Sequence, residues 1–64
     1  MNNQFITLYT VGMHSVGKIR VSVNEIVQYY PKGVGSMVFI GSPENYWEVQ
    51  ETPETIDQMI EKVS

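Results

Sequence analysis

The chain has 64 residues, no cysteine, a single histidine and a net charge of −3. It is one domain at most, with no disulfides or thiolate metal sites, and its acidity speaks against direct nucleic-acid binding, which needs a concentrated basic face. A domain this small buries only about 60% of its unfolded surface and usually needs a staple, and oligomerisation is the one left open.

The first predicted strand is "QFITLYTV", about 4–11, rich in β-branched and aromatic residues. Alternation puts Phe5, Thr7 and Tyr9 on one side and Ile6, Leu8 and Thr10 on the other. "GMHSVG" (12–17) is bounded by glycines and reads as a hairpin loop. "KIRVSV", 18–23, alternates cleanly, with Ile19, Val21 and Val23 inward and Lys18, Arg20 and Ser22 outward. Asn24 suits a bend or a bulge, with a short helical turn over 24–27 as an option. A third strand, about 26–30, places Ile26, Gln28 and Tyr30 on one face and Val27 and Tyr29 on the other, and Pro31 is expected to end it. "KGVG" is a turn, "SMVFIG" (36–41) a continuous apolar strand, and "SPEN" a second turn. The last strand, 46–50, sends Trp47 and Val49 to one side and Tyr46, Glu48 and Gln50 to the other.

The helix, about 53–63, is the clearest element. Thr52 can accept from the free amides of its first turn, and Pro53 fits a position whose N–H has no partner. Glu54 and Asp57 lie near the positive end of the dipole and Lys62 near the negative end. Ile56, Met59, Ile60 and Val63 form one apolar stripe. About 11 residues do not hold a helix alone in water, so it must dock on a sheet. The predicted fold class is α+β: a small antiparallel meander of four to five strands with one C-terminal helix packed on it, in a single domain.

This layout resembles the FlbD (or SwrD) family of small flagellar and swarming-motility proteins. The matching stretches are "FITLYTVG", "KIRVSVNEI" with Val23-Asn24 and Ile26, "YYPKG", "SMVFIG" and "VQETPETIDQMI". The "MHSVG" loop and the "YW" before Glu48 depart from the family pattern. The resemblance implies an accessory factor without chemistry of its own.

The residues themselves point the same way. His14 and Ser15 are adjacent in a loop with no third group to orient them, which is not the geometry of an activated nucleophile. Glu48, Glu51 and Glu54 lack the cleft or shaped loop of an acid–base pair or hard-cation site, and read as solvated carboxylates. "KGVGS" has the wrong order for a phosphate loop. No catalytic residue, cofactor or metal is expected. Aromatic residues on a sheet can stack bases, but Tyr29, Tyr30, Phe39, Tyr46 and Trp47 have no basic groove around them. Tyr29 and Tyr30 cannot both enter one core, so at least one is expected at a surface or interface.

The expected function is a non-enzymatic protein-interaction module. Its candidate contacts are Tyr29, Tyr30, Tyr46 and Trp47, with Glu54, Asp57 and Glu61 on an acidic helix face. The expected partner is a protein, and a homo-oligomer is expected as well. The alternative is a phage- or mobile-element-encoded inhibitor whose acidic surface occludes a host protein, one that handles nucleic acid included. A further alternative is an oligomeric sponge for a small ligand or nucleotide, since one chain this short is expected to lack room for a cavity of about 300 Å³. The chain holds no run of roughly 18 apolar residues and no signal-peptide pattern, so no membrane insertion is expected. A cytoplasmic location is expected, the host's if the protein is viral.

Overall fold

The computed structural model describes residues 4–12 and 17–64. The loop reading of His14 and Ser15 lies outside the described residues. The elements run β1 (Phe5–Tyr9), β2 (Lys18–Ser22), a 3₁₀ turn (Val23–Glu25), β3 (Ile26–Lys32), β4 (Gly35–Ile40), β5 (Tyr46–Val49) and α1 (Pro53–Val63). This is the α+β meander with a C-terminal helix that the sequence predicts. The strands form two antiparallel sheets, β1–β2 and β3–β4–β5, rather than one. The break falls at the 3₁₀ turn after β2, the place marked by Asn24.

One corner joins the sheets. Thr10 bridges Val49. The Val11 amide donates to the Glu48 carbonyl and the Gln50 amide to the Tyr9 carbonyl, each at 2.9 Å. The Thr10 hydroxyl donates to the Gly17 carbonyl and accepts from the Gly17 amide, which clamps the neck of the β1–β2 hairpin. A Cβ on Gly35 would collide with the Val49 carbonyl and lie within 2.9 Å of the Gln50 main chain. Only glycine lets β4 start this close to the end of β5. Ser36, next to it and fully buried, donates its hydroxyl to the Glu51 carbonyl at 2.7 Å.

The β3–β4 hairpin turns through Gly33–Val34, between paired Lys32 and Gly35. Gly33 has φ +60°, the first-position requirement of a type II′ turn. Two features of β3 depart from the sequence reading. Ile26 faces Ile40 and Gln28 faces Phe39, so an extra residue bulges out between them. The bulge moves Ile26 to the inner face, where it packs on the core beside Tyr29 instead of sharing a face with Tyr30. The strand also runs through Pro31 to Lys32. β3 has β4 on one side only, and an edge strand tolerates a proline.

The core is Ile6 and Leu8 from β1, Val21 from β2, Val38 from β4, Val49 from β5 and Ile56 from α1. Thr52 caps the helix by accepting from the Thr55 amide at 3.2 Å, with Pro53 as its first residue. The helix lies over the inner side, against β1 and β3, so it spans both sheets. Met59, Ile60 and Val63 pack around Ile56, as the stripe predicts. No helix among the described residues is long and apolar enough to cross a membrane.

Candidate functional site

The three-stranded sheet has two unlike faces. Tyr29, Val38 and Trp47 share one row of the ladder and point inward. The next rows point outward: Gln28, Phe39 and Tyr46 in one, Tyr30, Met37 and Glu48 in the other. On that outer face three rings stand side by side. Tyr30 and Phe39 are diagonal neighbours with centroids 5.9 Å apart. Phe39 and Tyr46 sit directly opposite, 5.7 Å apart and tilted by 54°. Tyr30 is 44% exposed and Tyr46 57%, and Val27 in the bulge is 49% exposed. The face also carries a charge at each edge. By alternation Lys32 follows Tyr30 on β3, and Glu48 lies on β5.

The sequence-predicted residues therefore separate into distinct places. Tyr30 and Tyr46 are brought together. Tyr29 faces the other way, and its hydroxyl donates to the Asp57 carboxylate on the helix. That hydrogen bond, with burial and the charge of Asp57 behind it, pushes the Tyr29 hydroxyl up to about 12. Tyr29 is thus a strut between β3 and α1. Trp47 also points inward, packed against the core. Glu54, Asp57 and Glu61 are exposed on the helix, on the side of the sheet away from the rings.

Phe39, the middle ring, is absent from the predicted contacts. It lies in "SMVFIG", where continuous apolar character hides which residues face out. The legible signal was the buried row: once Val38 is inward, Met37 and Phe39 must be outward. Glu51 also differs from expectation. Its carboxylate accepts from the Tyr9 amide at 3.1 and 3.3 Å, so it caps the corner between the sheets rather than standing free in solvent.

Two hollows remain. An apolar cleft of about 360 Å³ opens between β2 and the β4–β5 pair, lined by Ile19, Val21, Ile40 and Trp47 with Arg20 and Glu25 at its rim. It is an open groove between the two sheets rather than an enclosed cavity. The Arg20 guanidinium sits over the Phe5 ring, 5.6 Å from its centroid. A wider trough of about 460 Å³ runs beside Thr55, Gln58, Met59 and Lys62. The helix alone lines it, Glu61 included. Among the described residues no cluster of three or more histidine or acidic side chains could hold a metal.

No protein-family model matches the chain, and neither a curated protein nor a solved structure matches it.

Proposed function

We propose that the chain is a non-enzymatic protein-interaction module that meets its partner through the outer face of β3–β4–β5. The supporting observation is the contiguous Tyr30–Phe39–Tyr46 strip, which no element of the described residues covers and whose two tyrosines are exposed. Tyrosine gives large, rigid contact area at low entropic cost, with a hydroxyl for orientation. A monomer rarely spends so much aromatic surface on solvent. The reading fits a cytoplasmic accessory factor of the FlbD-like kind. A second reading, an inhibitor that occupies a basic cleft on a host protein, is favoured by one observation: Glu54 and Glu61 stand exposed on the helix with Asp57 between them.

A photo-crosslinking phenylalanine analogue tests both. Placed at Tyr46 and, separately, at Glu61, it is irradiated in cells and the adducts are identified by mass spectrometry. The first reading expects protein adducts from Tyr46 that disappear when Tyr30→Ser is added. Adducts from Glu61 alone would favour the inhibitor reading, and adducts from neither position would end both.

A further inference from the structure

We propose that the outer face of β3–β4–β5 pairs with a second copy of this chain, stacked face to face about a two-fold axis that runs along the strands. This rests on the reading of that face as an interaction surface. What selects the second copy is where the two charges sit. Lys32 is on β3, one edge of the sheet, and Glu48 is on β5, the other. Between them lie only neutral side chains: Tyr30, Gln28, Met37, Phe39 and Tyr46.

A two-fold axis along the strands lays β3 of one copy on β5 of the other. Each Lys32 then stands over the edge that carries the partner's Glu48, one same-face step away, about 7 Å along the strand. The flexible four-carbon stem of lysine spans such a step. The pair forms twice, as an isologous contact requires. The same operation sets Phe39 against the partner's Phe39 and Tyr46 against the partner's Gln28. A two-fold axis across the strands does the opposite. It lays β5 on β5, brings the two acidic edges together and leaves each Lys32 without an acid to meet. The charges therefore choose one of the two symmetric stackings. A three-stranded face without an apolar pocket fits a weak, transient dimer rather than an obligate one, and its association is sought at high concentration.

The test is sedimentation velocity up to about 0.5 mM, a concentration at which even a weak dimer is populated. It compares the wild type with Lys32→Glu, with Glu48→Lys, and with an equimolar mixture of the two variants. The wild type is expected to dimerise. Each variant alone puts like charges together twice and should weaken association by more than about tenfold. The mixture restores two opposite-charge pairs and should dimerise again. Circular dichroism confirms that each variant is folded. A wild type that stays monomeric at the top concentration overturns the dimer, as does association indifferent to Lys32→Glu, or a mixture that fails to recover. The failures are separable: a monomeric wild type that still crosslinks to a different protein from Tyr46 leaves the interaction reading in place.

Discussion

Tyr29 and Tyr30 are neighbours in the chain with opposite lives. Tyr29 turns inward, packs against the core and ties β3 to the helix through Asp57. Tyr30 turns outward, exposed, into an aromatic strip beside Phe39. Trp47 and Tyr46 repeat the contrast on β5, and Val38 and Phe39 on β4. The difference between the faces lies in what stands opposite each, since residue type is much the same. The inner face has β1, β2 and α1 to dry it. Among the described residues, the outer face meets its own chain only at Gly35, where the end of β5 lies against it, and Tyr30 and Tyr46 stand exposed. Aromatic content alone would not have told the two apart.

The largest effect is expected at Gly35, the one outer-row position with no room for a side chain. Gly35→Ala forces Cβ into the β5 main chain, where neither strand can yield without opening the Thr10–Val49 corner. A loss of at least about 3 kcal/mol is expected, which leaves a domain this small largely unfolded in a urea titration. Next is the inner layer. Ile56→Ala empties a fully buried site between both sheets and should cost about 2–5 kcal/mol, read by the same titration.

Smaller and pH-dependent is the Tyr29–Asp57 strut. Tyr29→Phe should cost about 1 kcal/mol or less, because the bond is near the surface. Its sign with pH is fixed. The hydroxyl is raised from 10.0 to about 12 in the folded protein, so folding favours the protonated form. The contribution is whole below about pH 10 and is lost as pH rises toward 12, where tyrosinate would face the Asp57 carboxylate. Near-ultraviolet absorbance should show a late tyrosine titration in the wild type that is lost in Tyr29→Phe. A wild type whose tyrosines all titrate together would remove the strut.

Much of this was written in local grammar. Thr52, Pro53 and the Ile56–Val63 stripe specify the helix before any contact is known. The alternation of Lys18 to Ser22 specifies a strand with one dry face. The parts that escaped depend on residues far apart in the chain. The Tyr9 amide meets the Glu51 carboxylate across 42 positions, and no local pattern marks Glu51 as a cap. The division into two sheets turns on where the 3₁₀ turn releases the chain, which Asn24 hints at but does not require. The bulge at Val27 adds one residue to one strand and reverses the face of Ile26, an error that strict alternation is bound to make. For the site, alternation correctly required one of Tyr29 and Tyr30 to face out. It could not choose Tyr30, because the choice depends on a helix that arrives at the end of the chain.

The most direct measurement sets the outer face against the inner one. Chemical denaturation of Tyr30→Ser plus Tyr46→Ser is run beside Ile56→Ala, at sub-micromolar protein so that self-association does not contribute. If the rings serve a partner, the double variant keeps its unfolding free energy to within about 1 kcal/mol of wild type while Ile56→Ala loses several times more. A double variant that falls as far as Ile56→Ala would make the outer rings part of what holds the fold, and the face would no longer be free for a partner.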